Sequence, residues 1–213
     1  MITNASSLTL SSLRQTFGLR LDSNDHFFDE WLDNAPTLTE SELQGLDRLT
    51  RNYTYLSQEE PPLEEIVKLV VVSPLLDLAG FYQFPFLVKA EVSTNIEVTD
   101  EANVMAVQGR IDILVIQDSF WILVIESKPA RLDVTAGIPQ ALTYLLSAPH
   151  LQSNCYGMVT NGREVLFLKC ARHQDMPQYT RSHTYRLLEN TAERIQVLQG
   201  LKQIGAYIGD LRS

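Results

Sequence analysis

One α/β domain preceded by an acidic helical layer is the fold class that this 213-residue sequence predicts, and three observations carry it. Residues 110–116 and 120–125 are nearly continuous Ile, Leu, Val and Trp, as expected of strands buried on both faces. Segments with helical spacing stand before, between and after the strands. A hydrophobic fraction of 45% at this length is enough to bury a sizeable core. With 10 Gly, 9 Pro and 2 Cys, collagen-like, disordered and disulfide-scaffold classes are excluded.

Taken in order, the first dozen residues, rich in Ser and Thr, read as a loose tail. Residues 25–33 place Phe27, Phe28, Trp31 and Leu32 at the spacing of a short amphipathic helix. Thr39-Glu40-Ser41-Glu42 is a capping-box signature that opens a helix bearing Leu43, Leu46, Leu49 and Tyr53. Pro61-Pro62 predicts a further helix start, with Leu63, Ile66, Val67, Val70 and Val71 turned to a core and an end near Pro74 or Gly80. Residues 86–99 alternate irregularly as a strand. The two strong strands follow, joined by the short polar link Gln117-Asp118-Ser119 as an antiparallel hairpin. A helix is expected over residues 139–146. Residues 155–160 and 163–169 flank Asn161-Gly162, the signal of a two-residue hairpin turn. A last helix begins at Asn190, with Glu193 as its capping partner. The division drawn is an N-terminal helical extension, residues 1–60, and a domain over residues 61–213.

Charge and composition bound the partners. Net charge is −9, but residues 1–65 hold 12 acidic and 4 basic side chains, so the remainder is near neutral. From Met105 to Arg186 the balance is 8 basic to 6 acidic. A nucleic-acid site is permitted without being required. No stretch approaches the about 18 apolar residues of a membrane span, and the start of the chain has no basic and apolar leader pattern. Cys155 and Cys170 suit a reducing compartment. A cytoplasmic protein without a membrane partner is the expectation.

The chemistry is sought where ionisable residues interrupt apolar strands, because a buried charge is costly unless paired or liganded. Asp112, Glu126 and Lys128 stand out. Centring the hairpin on Ser119 sets Asp112 opposite Glu126, with Cβ atoms roughly 4.5–5.5 Å apart. Lys128 shares the face of Glu126 because strand side chains repeat with period two. Two carboxylates and an ammonium therefore converge. A divalent ion resolves the repulsion: Mg²⁺, with Mn²⁺ as substitute, takes one or two carboxylates and suits phosphate chemistry. The Ser127 carbonyl could complete the ligand set, and Lys128 could orient water or offset charge on the phosphate. A structural ion pair between Lys128 and one carboxylate is the plainer alternative.

Asp112 followed by Glu126-Ser127-Lys128 resembles the PD-(D/E)xK nuclease superfamily, the restriction-endonuclease-like fold. Gln140-Ala141-Leu142-Thr143-Tyr144 is similar to the Gln-x-x-x-Tyr motif of the branch containing the N-terminal nuclease domain of type I restriction enzyme R subunits. Leu63-Glu64-Glu65-Ile66-Val67, ahead of Pro74-Leu75-Leu76, resembles that branch's acidic helix. Val159-Thr160-Asn161-Gly162 resembles the strand and turn that follow the motif. The likeness runs from Leu63 to Lys169. It implies a central mixed β-sheet flanked by helices, Mg²⁺-dependent hydrolysis of DNA phosphodiester bonds, and a role in restriction or defence. It implies metal ligation by Asp112 and Glu126, a catalytic Lys128, and Gln140 and Tyr144 steadying the site or contacting the DNA backbone. Glu64 fits the acidic position by its distance to Pro74, with Glu65 one residue away; a solvated Glu in a first helical turn fits as well. Ile111 stands where the superfamily name has proline. No Gly-Lys pair offers a phosphate loop, so a motor or specificity subunit would be a separate partner, and pairing of two copies would be ordinary for such domains.

Other candidates carry less. His150, His173 and His183 lack metal-site spacing, and Cys155 with Cys170 lacks further ligands. Arg163, Lys169, Arg172, Arg181 and Arg186, interleaved with Tyr179 and Tyr185, could form a phosphate-contacting stripe or a solvated face. The competing functional class is a non-catalytic module that keeps the nuclease fold to bind DNA or a protein.

Overall fold

The computed structural model describes residues 2–22, 35–100, 103–117, 120–149, 154–173 and 176–210. The helix expected over residues 25–33, the tip of the Asp118-Ser119 link, and His150 lie outside them. The chain forms an α/β fold around one mixed sheet, which has nine strands among the described residues. These are β1 (Ile2–Asn4), β2 (Arg20–Leu21), β3 (Phe86–Asp100), β4 (Asn103–Gln117), β5 (Phe120–Ser127), β6 (Cys155–Thr160), β7 (Glu164–His173), β8 (Met176–Arg181) and β9 (Tyr185–Arg186). Strand order is β1-β4-β5-β6-β7-β8-β2, with β3 paired to β4 and β9 to β7. No helix among the described residues is long and apolar enough to cross a membrane.

The tail expected at the start is structured instead. Ile2–Asn4 pairs in parallel with β4, and α1 (Leu10–Phe17) follows, burying Leu13 completely. Its Ser and Thr residues are caps rather than coil: Thr9 and Ser12 form a reciprocal capping box. Ala5 and Leu13 are the buried positions there among the residues whose burial is described, too sparse an apolar period to mark a helix in the sequence.

Thr39 and Glu42 form the expected capping box on α2 (Glu40–Leu56), which buries Leu46, Leu49 and Tyr53. The next helix, α3 (Glu64–Val67), runs through a π-turn, Lys68–Val72, into α4 (Ser73–Leu78). It therefore passes Pro74, which has no N–H to give, and ends before Gly80, whose φ is +84°. Val67, Val71, Val72, Leu75 and Leu76 are buried, whereas Leu63 is exposed. After β5, α5 (Ile138–Leu146) makes the crossover to the parallel strand β6. The β6–β7 turn is wider than the two residues expected: Thr160 pairs with Val165. There the Asn161 side chain accepts from the N–H groups of Arg163 and Glu164, and Gly162 adopts φ +84°. The last helix, α6 (Thr191–Asp210), is capped by Asn190, whose side chain accepts from Ala192 and Glu193.

Strand alternation sorts the core into two layers. Ile113, Val115, Ile125, Met158 and Phe167 meet α2, α3, α4 and α6 on one face. Leu114, Val124, Val159 and Leu166 meet α1 and α5 on the other. Asp112 and Glu126 are in phase with Leu114 and Val124, so both belong to the α5 face.

One edge of β4 is shared by two partners. β1 pairs with residues 106–108 and β5 with residues 113–117, leaving residues 109–112 without a strand on that side. Tyr144 fills this gap. Its hydroxyl donates to the Arg110 carbonyl at 2.9 Å and accepts from the Arg110 N–H at 3.2 Å, replacing a ladder partner. Gly109 makes room, since a Cβ there would stand 2.6 Å from the Tyr144 ring. Tyr144→Phe removes the hydroxyl and strands both Arg110 backbone groups. It should lower unfolding stability in urea by about 0.5–1.5 kcal/mol, the net contribution of a typical hydrogen bond, since these groups are only part-buried; a variant as stable as the parent would show that water serves equally well.

Candidate active site

Immediately beside that gap, β4, β5 and α5 deliver five of the residues singled out from the sequence. β4 and β5 pair with Ile113 opposite Ile125, so one residue further on Asp112 lies opposite Glu126, as the hairpin register predicts. The register shifts only nearer the link, between Val115 and Ile116. The Ser127 N–H donates to Asp112 Oδ2 at 2.7 Å, tying the two strand ends together.

A continuous chain of hydrogen bonds then crosses from strand to helix. Lys128 Nζ donates to Glu126 Oε1 at 2.5 Å and to Gln140 Oε1 at 2.9 Å. Gln140 Nε2 donates to the Tyr144 hydroxyl at 2.8 Å, and Tyr144 closes on Arg110. Gln140 and Tyr144 are four apart and so share a helix face. Tyr144 is 1% exposed, and its hydroxyl is taken up by Gln140 and the Arg110 backbone. Gly137 lets α5 approach this closely: a Cβ there would lie 2.5 Å from Val159 Cγ1 and within 3.4 Å of Lys128 Cε and Glu126 Cγ.

Glu126 is the most confined charge. Its side chain is 2% exposed, and Oε2 is buried with no hydrogen-bond partner. Burial, and then the Asp112 carboxylate, push it up to about 8 despite the opposing pull of Lys128. Ser127 is fully buried, and its Oγ likewise lacks a partner. Among the described residues no three His, Cys, Asp or Glu side chains converge as a ready metal cluster. The carboxylate pair of Asp112 and Glu126 is nevertheless of the size that Mg²⁺ uses, since that ion keeps most of its waters.

The sequence reading missed a second basic residue. Lys68, at the start of the π-turn, places Nζ 3.0 Å from Asp112 Oδ1, 3.2 Å from Glu64 Oε1 and 3.2 Å from Glu91 Oε1. Burial works against its charge, but Asp112, then Glu64 and Glu91, outweigh burial and raise its pKa above the ordinary lysine value. Glu64 thus joins the site through Lys68, whereas Glu65 is exposed. Glu91 faces Asp112 in the β3–β4 register, is skipped by the ladder, and holds φ +56°. A bulky residue at positive φ is strained, and it persists here with its carboxylate bound to both Lys68 and Arg110 Nε, the latter at 2.7 Å. The spacing of Glu64 and Lys68 was a usable signal; nothing in the sequence marks Glu91.

The basic stripe does not assemble as drawn. Lys169, Tyr179 and Tyr185 are buried, while Arg163 and Arg186 pair with Glu189 and Glu193. Cys155 and Cys170 stand directly opposite across β6 and β7 as buried free thiols, with burial pushing Cys155 up to about 12.

No family model matches the chain, and no curated protein does. Among solved structures it is similar to a fragment assigned to the HsdR subunit of a type I restriction enzyme from Vibrio vulnificus YJ016. The two are 26% identical with a TM-score of 0.40, over 50% of this chain and 21% of that one. The match thus spans about a fifth of that fragment's length. It is also similar to SSO0001, at 18% identity and a TM-score of 0.31, over 84% of this chain and 83% of that one.

Glu126 makes the fold pH-sensitive in the absence of metal. Below about 4.5 it is protonated in both folded and unfolded chains; between about 4.5 and 8 the unfolded chain gives up the proton and the folded one keeps it. Stability therefore falls as pH rises through this window. Denaturation midpoints in chelator should show that fall in the parent and a flatter profile in Glu126→Gln; parallel profiles would show that Glu126 ionises normally.

Proposed function

We propose that this chain is a metal-dependent deoxyribonuclease of the PD-(D/E)xK kind. The observation that carries the reading is Glu126 Oε2, a buried carboxylate oxygen without a partner, beside Asp112 and two residues from Lys128. A native protein rarely keeps such an atom unless something outside the chain serves it. The donor set is all oxygen, which suits Mg²⁺ or Mn²⁺. Asp112 and Glu126, with the Ser127 carbonyl, would hold the ion, which supplies Lewis-acid stabilisation of charge on a phosphodiester.

The chain's own groups do the rest. Lys128, fixed between Glu126 and Gln140, presents an ammonium that orients water toward the phosphorus and offsets charge on the phosphate oxygens. Gln140 holds Lys128 in that direction, and Tyr144 fixes Gln140 against β4. Glu64 contributes negative charge from α3. DNA is the substrate class, and a separate motor or specificity subunit is the partner this reading names.

A second reading is favoured by one observation. Lys68 on Asp112 and Lys128 on Glu126 give each carboxylate a cation already, as a purely structural ion network in a DNA- or protein-binding module would. Incubation with supercoiled plasmid and with single-stranded DNA, in Mg²⁺ and in Mn²⁺, separates the two. Metal-dependent cutting is expected, falling roughly 100-fold or more in Lys128→Ala, the scale for losing one transition-state charge contact. Cutting at full rate by that variant would remove Lys128 from the mechanism; metal binding without cutting would favour the binding module.

A further inference from the structure

Both oxygens of Asp112 are engaged. Oδ2 accepts from the Ser127 N–H, a bond that ties the adjoining ends of β4 and β5 together. Oδ1 is held by the Lys68 ammonium. Oδ1 is the oxygen not already tied to backbone, so a cation bound there meets the Lys68 ammonium, and two positive charges crowd one oxygen. Lys68 differs in this from Lys128, which is locked between Glu126 and Gln140. Its side chain is 19% exposed and contacts two further carboxylates, Glu64 and Glu91, that lie off the Asp112–Glu126 pair. It can let go of Asp112 and remain neutralised.

We propose that Lys68 is a tethered counter-cation of the metal site: it holds Asp112 Oδ1 while the site lacks a divalent ion, and it withdraws onto Glu64 and Glu91 when an ion binds. The proposal rests on the metal-site reading above and adds its regulation. Lys68 supports the metal-free fold by screening Asp112 from Glu64 and Glu91, and for the same reason it weakens apparent metal affinity. Glu91 then has a purpose that its strained backbone otherwise lacks, as one of the two anchors that receive the ammonium.

The test is Mn²⁺ calorimetry on the whole chain as parent, Lys68→Gln and Lys68→Arg, with Lys202→Gln, a lysine paired with Glu42 on α2, as a charge control. Lys68→Gln should bind Mn²⁺ roughly tenfold or more tightly than the parent, since one unit charge leaves contact distance of the site. Lys68→Arg keeps the charge and grips a carboxylate with two donors, so it should bind more weakly than the parent. Lys202→Gln should match the parent. In melts, Lys68→Gln should unfold below the parent in chelator and close the gap as Mn²⁺ is added; a merely structural lysine would leave the gap fixed and the affinity unmoved. If the parent binds Mn²⁺ and Lys68→Gln binds no more tightly, the counter-cation is overturned and the metal site stands. If Lys68→Gln does not fold, Arg binding equal to or tighter than the parent overturns it in the same way. If neither parent nor variants bind Mn²⁺, the metal site itself falls, and this proposal with it.

Discussion

A strand in the middle of a sheet normally has its backbone satisfied by neighbours on both sides, and β4 does not. Its edge is taken by β1 at one end and by β5 at the other, and the backbone groups of residues 109–112 that point to this edge have to be satisfied by something other than a strand. Tyr144 serves Arg110, and the Asp112 carboxylate reaches across to the Ser127 N–H. Side chains that in a closed ladder would be optional become part of the sheet's own hydrogen bonding. The cluster of ionisable groups is thereby anchored to backbone at both ends, by Tyr144 on Arg110 and by Asp112 on Ser127.

Charge follows from that placement. Asp112 and Glu126 are forced close by register, and Glu64 and Glu91 approach from α3 and β3. Four carboxylates in so small a region would repel strongly, more so where water is excluded. Two lysines answer them differently. Lys128 is enclosed by Glu126 and Gln140 and belongs to the α5 face. Lys68 comes from the helix on the opposite side and distributes one charge over three carboxylates. The π-turn at Lys68–Val72 changes the helix phase just where this side chain departs, a deviation common at functional positions.

Close backbone approach is the remaining requirement, and two glycines meet it. With a Cβ at Gly109 the Tyr144 ring could not reach Arg110, and with one at Gly137 α5 would be held off Glu126 and Lys128. Neither glycine has a positive φ; what they supply is space.

The sequence alone determined the strands β3 to β7, the caps at Thr39 and Asn190 and the convergence of Asp112, Glu126, Lys128, Gln140 and Tyr144, because those follow from local rules, whereas the short strands β1, β2 and β9 and the strand β8 left no readable pattern. Period two aligns Glu126 with Lys128, hairpin register opposes Asp112 to Glu126, and helical period aligns Gln140 with Tyr144. Errors fell where a local rule was ambiguous: Ser and Thr caps near the start read as coil, and the Asn161 side chain widened a turn that its Asn-Gly pair predicted to be tight. Only the tertiary structure decided that β1 and β5 share one edge of β4 without meeting, that α3 lays Lys68 across Asp112, and that Glu91 is bent back toward both. These contacts join segments 20 or more residues apart and depend on the sheet order and on how the helices lie over it, and neither leaves a periodic trace in the chain.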